Sequence, residues 1–537
     1  MIDVRKTGVK SRVGSIQSKR SALLCDKIVM KSSANPKSVR AMNRNDAMKD
    51  FISVIKRIHT DDLIRSFSKV SIEMFNDQQF IREVEVPIIR YGQPKVLVVQ
   101  LSAWDIPDIA FLSIKNSTDF RNGSRNFLVG HIVDLYREYS NQNSSAEHIA
   151  NADANGVFRT VLGITAEQFN YQNRQWISEK ISRDYYILIA ASTFEHRREV
   201  DVAAIVDELF GCSVDDYMAI LLTVFWLCMK HPDPLSVPEE QYCRKKNTIL
   251  TKENIERVIG YYSCTYNDLR RHSLGKQLLY SKPFVCTQRT KTTLSVSMFL
   301  VAMMVANGLY WLVRDYFLKK SKESGKNDQT FVNEFGSLFE EYIKDLATRY
   351  CEHTEWRKLP ESSKKGADFV FDFGAVQFIV ESKSALLKLD AKQQVPNLRS
   401  IDLFFERTIR DSYQQLVSSY EELSRLTSIP IIKVILLYDE FSNTAIIERS
   451  MAEVFDADPS CFVMTIRELE ILLYIHRNNK EMEKSILEQI ISGIQTKDAR
   501  RNIGGIYSEL GIYENPHFSG EMNYFSKLME HFKGNLI

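Results

Sequence analysis

Apolar residues recur at helical spacing over 331–346, where Phe335, Leu338, Phe339, Tyr342, Ile343 and Leu346 fall on one stripe and predict an amphipathic helix. The period then changes. Residues 369–371 and 376–380 are short runs rich in aromatic and β-branched side chains, and the Asp372-Phe373-Gly374 stretch between them has turn chemistry with a glycine suited to positive φ. Together they predict a β-hairpin. A second helical pattern covers 404–426, carrying Tyr413, Gln414, Gln415, Leu416 and Tyr420, and leads into an apolar strand at 431–438. A further strand at 461–464 runs into a helix at 465–473. The expected order is helix, hairpin, helix, strand, strand, helix.

Before residue 325 the pattern is mostly helical, with one β element at 84–101 folded about Tyr91-Gly92-Gln93-Pro94. Residues 294–313 run twenty positions without a charge between Lys291 and Arg314, long enough to span a hydrocarbon core of about 30 Å. Ser295, Ser297, Asn307 and Gly308 interrupt that run, and a second apolar run at 217–229 is too short to span. Both are therefore expected as central helices of one large core, with a membrane helix as the competing reading. The polar stretch 319–328 predicts a linker. The expected organisation is a basic arm at 1–45, a mainly helical recognition or regulatory domain at 46–325, a second domain at 326–480 and a helical extension at 481–537.

A chain of 537 residues, 44% hydrophobic and 26% charged, fits several folded domains in the ordinary globular range. Its net charge of +2 is unevenly spread: residues 1–45 hold eleven Lys or Arg against Asp3 and Asp26, a local +9 that leaves −7 for the remainder. Such an arm can follow a phosphate backbone without reading sequence, with binding that weakens steeply as salt rises; a solvated tail is the alternative. The eight cysteines show no Cys-x-x-Cys and no paired Cys/His spacing, so the spacing indicates neither a disulfide framework nor a zinc site, and a reducing, cytoplasmic setting is expected. No secretory signal pattern and no phosphate-binding Gly-x-x-x-x-Gly-Lys loop occur. His59, His131, His148, His196 and His231 are far apart in sequence and are expected to be structural.

The candidate chemistry lies on the hairpin. Side chains alternate across a strand, so Glu381 and Lys383 share a face of the second strand while Asp368 stands at the open end of the first. Mg²⁺ takes octahedral oxygen ligands and keeps several waters, so two carboxylates and a substrate phosphate suffice to hold it beside a phosphodiester. A lysine two residues after the second carboxylate adds a compact cation for the attacked phosphate. Asp and Glu at strand ends with a nearby Lys are also common on solvated faces.

With these surroundings, Asp368 and the Glu381-Ser382-Lys383 string resemble the PD-(D/E)xK nuclease superfamily over about residues 330–475. Ala367 stands where the nominal motif has proline. The resemblance implies an α/β, restriction-endonuclease-like αβββαβ core as the C-terminal domain; the large mainly α-helical domain that precedes it is read from the hydrophobic pattern alone. It implies Asp368 and Glu381 as ligands of Mg²⁺ (or Mn²⁺), Lys383 at the attacked phosphate, Glu340 as an additional acidic ligand and Gln415 as a glutamine near the active centre. Periodicity leaves Glu341 open against Glu340, and Gln414 against Gln415. The function so implied is hydrolysis of nucleic acid, DNA ahead of RNA, by a homodimer or beside another defence protein, in restriction or antiphage defence. The competing expectations are a catalytically inactive nucleic-acid-binding or assembly protein with the same fold, and a membrane-tethered nuclease.

Overall fold

Five strands form the central sheet, and their side chains alternate between two cores. The computed structural model describes residues 44–90, 93–117, 127–142, 153–172, 175–196, 198–243, 248–272, 275–287, 290–325, 327–360, 366–393, 395–441, 443–496 and 502–536. The basic-arm expectation at 1–43 and His148 lie outside them. The protein is mixed α/β and predominantly helical. In its first half the strands are β1 (Ile81–Arg90) and β2 (Gln93–Ser102), an antiparallel pair, and β3 (Ser263–Thr265), β4 (Phe284–Cys286) and β5 (Thr293–Ser295), a small mixed sheet.

The second half carries β6 (Trp356–Lys358), β7 (Phe369–Asp372), β8 (Gln377–Lys383), β9 (Ile431–Leu437) and β10 (Cys461–Thr465), in the spatial order β10-β9-β8-β7-β6. β6, β7 and β8 are antiparallel neighbours; β8, β9 and β10 are parallel. Gly374 makes the β7–β8 turn at φ +77°, a backbone region that favours glycine. Phe369, Phe371, Phe378, Val380, Val434 and Met464 enter one core, while Val370, Ile379, Ile435 and Val463 enter the other. Burial on both faces is the pattern expected where helices cover a sheet with parallel strands.

The elements bearing on the site, in chain order, are α1 (Gln175–Tyr185), α2 (Val214–Lys230), α3 (Met298–Ala306), α4 (Gly308–Ser324), α5 (Thr330–Tyr350), α6 (Asp411–Leu423), α7 (Ile466–Asn478) and α8 (Lys480–Thr496). α5 buries the expected stripe and continues one turn beyond it. α6 is preceded by the helix Leu398–Phe404 and a π-helical turn, Phe405–Arg410, so this helical stretch begins before the expected 404. α7 starts at a reciprocal cap: Thr465 accepts from the Glu468 amide, and the Glu468 carboxylate accepts from the Thr465 amide at 2.6 Å.

The uncharged run 294–313 departs from one continuous helix. It begins in β5 and then splits into α3 and α4, bent by 79° at Asn307. A Cβ on Gly308 would stand 2.9 Å from Leu221 Cδ1 on α2, so glycine there lets the two helices close up. Among the described residues no single helix is long and apolar enough to cross a membrane, although this bent pair and a second, Val202–Phe210 with Val214–Lys230, meet the length and composition. The expected linker at 319–328 is also different: Lys319–Ser324 is the solvated end of α4, where Lys319 and Glu323 pair one turn apart at 3.9 Å.

The helical half and the sheet share one continuous core, since Tyr310 packs on Phe331, Phe335 and Tyr438 across the 325–329 connection. Buried charges bridge the same boundary. Arg183 of α1 is fully buried and donates to both Glu470 oxygens at 2.6 and 2.8 Å, while Lys180 donates to Asp184 at 2.7 Å and to the Tyr438 hydroxyl at 2.6 Å. A buried guanidinium is tolerable only while so paired. Glu470 also accepts from Tyr342 of α5 at 2.7 Å, which ties α1, α5 and α7 together.

Candidate active site

β6 ends, β7 begins and β8 ends at the same edge of the sheet, and that convergence assembles the site. The ladder pairs Lys358 with Phe369 and Phe369 with Val380, so Asp368, Glu381, Lys383 and Lys358 are neighbours though they come from three strands. Asp368 extends the ladder: its amide donates to the Val380 carbonyl at 2.9 Å, and its carbonyl accepts from the Leu359 amide at 2.8 Å. α5 runs alongside and contributes Glu340, whose Oε2 accepts from Lys358 Nζ at 2.8 Å.

The neighbours 340 and 341 are thereby separated. Glu340 turns toward β6, while Glu341 Oε2 accepts from the Glu195 amide at 3.0 Å in the helical half. Gln415 Nε2 donates to the Asp411 carbonyl at 3.3 Å within its own helical stretch. It lies one turn from Ser419, whose hydroxyl accepts from the Ala367 amide at 2.8 Å and so steadies the chain entering Asp368. Gln414 is exposed.

Glu381 is the buried member, at 2% exposure, and it pairs with Lys383 through Oε1. Its Oε2 is buried without a hydrogen-bond donor. Burial pushes this carboxyl up to about 7, the negative charge of Asp368 adds to the rise and Glu340 adds less, with Lys383 opposing. Lys358 is held above its ordinary range: partial burial works against the charged form, but the bond to Glu340, then the charges of Glu340, Asp368 and Glu341, outweigh it.

Two contributors escaped the sequence reading. Lys358 sits on a three-residue, largely exposed strand with no hydrophobic period to reveal it. Ser382, the middle residue of Glu-Ser-Lys, gives both its amide and its hydroxyl to Asp368 Oδ2, each at 2.7 Å. Its position was visible; its partner was not.

A carboxyl oxygen buried without a hydrogen-bond partner beside a second carboxylate suits a hard divalent cation, which would supply the missing partner and offset the crowded charge. Asp368 and Glu381 are the pair able to share one. Among the described residues, the set of three Cys, His, Asp or Glu side chains whose donor atoms lie within 4.8 Å of one another is instead Cys351, Glu355 and His476, at the other end of β6 and β7. No protein-family model matches the chain, and no curated protein or solved structure matches it.

Proposed function

We propose that the chain is a metal-dependent nuclease of the PD-(D/E)xK kind, hydrolysing phosphodiester bonds of nucleic acid at the edge where β7 begins and β8 ends. The observation that carries this reading is the Glu381 carboxylate, buried with one oxygen lacking a donor, its pKa raised by that burial and then by its neighbour Asp368, and paired to Lys383 two residues on. The order α5, β6, β7, β8, α6, β9 supports the αβββαβ core of that superfamily. The reading extends to DNA ahead of RNA as substrate, a homodimer or a second defence protein as partner, and a role in restriction or antiphage defence, all resting on the resemblance.

Asp368 and Glu381 would hold Mg²⁺ or Mn²⁺, with Glu340 assisting from α5. The bound ion would lower the pKa of a coordinated water and offset charge on the attacked phosphate. Ser382 holds Asp368 by two hydrogen bonds, which orient that carboxylate. Lys383, now paired to Glu381, can turn its ammonium to a phosphate oxygen once a cation neutralises that carboxylate. Lys358 offers a second cation on the exposed edge strand. Incubating the purified chain with plasmid, single-stranded DNA and total RNA, each with Mg²⁺ or EDTA, tests the reading. Cleavage in the Mg²⁺ arms alone is expected, and binding without cleavage in every arm would favour the non-catalytic alternative.

A further inference from the structure

At the end of the sheet away from the carboxylate pair, three side chains from separate elements meet. Cys351 caps the C-terminus of α5, Glu355 lies in the turn entering β6, and His476 lies in the last turn of α7. Their donor atoms are mutually within 4.8 Å, with Cys351 and His476 buried and Glu355 half-buried. Glu340 and Cys351 are eleven residues apart on or next to α5, about 16 Å along its axis, so this group is separate from the proposed nuclease centre.

We propose that Cys351, Glu355 and His476 bind zinc, stapling the end of α5 and the edge strand β6 to α7. The donor set selects the ion: a thiolate and an imidazole suit zinc, whereas Mg²⁺ wants oxygen alone. His476 Nε2 lies 3.1 Å from Glu355 Oε2, near the edge of about 3.3 Å that a tetrahedron with metal–ligand bonds of about 2.0 Å requires. The imidazole is oriented from behind. Its Nδ1 stands 2.5 Å from Glu483 Oε1 on α8; in the tautomer whose Nδ1–H donates there, Nε2 is left for the metal, the carboxylate–histidine–metal relay of zinc proteins. Lys480 Nζ closes the outer side, 3.0 Å from Glu483 Oε2 and 3.1 Å from Nδ1. The Glu352 amide donates to Glu355 Oε2 at 2.7 Å and holds that carboxylate in place. With three protein ligands, the fourth position would take water or a substrate-like donor.

A mechanical consequence follows from where the ligands sit. The Glu355 carbonyl accepts from the Asp372 amide at 2.7 Å, so the same turn that carries a ligand also starts the β6–β7 ladder. That ladder ends at Lys358, and α5 carries Glu340. Zinc would thus set the register of both elements that bring Lys358 and Glu340 together.

The test is metal content of the full chain, purified without chelator and, separately, reconstituted with Zn²⁺ or Co²⁺ and desalted. One zinc per chain is expected, with a near-ultraviolet thiolate-to-cobalt charge-transfer band in the cobalt form. Cys351→Ser and His476→Gln should lose the zinc and Cys351→Ser the band, while zinc should raise the thermal midpoint of the wild type and of neither variant. Asp368→Ala with Glu381→Ala should keep full zinc, which makes failure here distinct from failure of the nuclease reading. Folding of each variant is checked by circular dichroism, and the cobalt spectrum of the wild type decides the matter if a variant does not fold. Absence of stoichiometric zinc and of a thiolate band after reconstitution, or zinc retained by both ligand variants, would overturn the proposal.

Discussion

Ser382 holds Asp368 by two hydrogen bonds of 2.7 Å, one from its amide and one from its hydroxyl, both to Oδ2. The middle position of the Glu-Ser-Lys string is thus a residue that holds the first carboxylate. Ser382→Ala keeps the amide bond and removes the other, and a hydrogen bond to a charged group is worth about 1.5–3 kcal/mol. Cleavage by Ser382→Ala should fall by about tenfold, with a higher Mg²⁺ requirement, and Ser382→Thr should retain most activity. Equal rates and Mg²⁺ titrations for Ala and wild type would remove Ser382 from the positioning role.

Loss of Lys383 should be felt in the chemical step more than in binding. Lys383→Ala is expected to lower the single-turnover rate by at least about 100-fold while nucleic-acid affinity measured in Ca²⁺ stays near wild type, because in the proposed reaction the charge acts at the attacked phosphate. Asp368→Ala with Glu381→Ala should abolish cleavage and also Mg²⁺ binding by calorimetry. Wild-type cutting by that double variant would place the active centre elsewhere.

The two adjacent glutamates of α5 separate cleanly. Glu340→Gln weakens the Lys358 pair and the negative field at Glu381, so cleavage should drop by about tenfold. Glu341→Gln touches the Glu195 amide in the helical half and should leave the cleavage rate unchanged. Comparing kcat/KM of the two variants checks this, and the reverse order would reassign the acidic ligand to Glu341.

Glu381 gives a pH signature. Its carboxyl in the folded chain sits at about 7 against an ordinary 4.5, chiefly through burial and then Asp368, so the folded state holds a proton that the unfolded chain has released. Stability of the metal-free protein therefore falls as pH rises from about 4.5 to about 7 and levels off above, by on the order of 3 kcal/mol. Glu381→Gln should flatten that decline and raise the melting temperature above pH 7 in EDTA. Since protons compete with the cation for the same oxygens, Mg²⁺ affinity of the wild type should rise with pH through the same range. Denaturation and Mg²⁺ titrations across pH 5–8 follow both, and a Glu381→Gln profile parallel to wild type would contradict them.

Local pattern was enough for the hairpin, for α5 and for β9, because a period of two or of 3.6 records which face of one element meets a core. It was enough as well to set Asp368, Glu381 and Lys383 beside one another, since two positions lie on one strand and the third is reached through a tight turn; no distant contact is needed to bring them near one another. Tertiary packing decided the rest. The exposed strand β6 buries too little to leave a pattern, so Lys358 became visible only through its pairing with β7. Glu340 and Glu341 are indistinguishable by helical period, and the choice fell to what each meets, Lys358 or the backbone at Glu195. The uncharged run at 294–313 reads as continuous helix, and only the packed structure shows it split at Asn307 into two helices bent by 79°, with Gly308 close against Leu221. Cys351, Glu355 and His476 show no metal-binding spacing because His476 joins from 121 residues away. Such a meeting depends on how α5 and α7 pack, and periodicity along a single element carries no information about that.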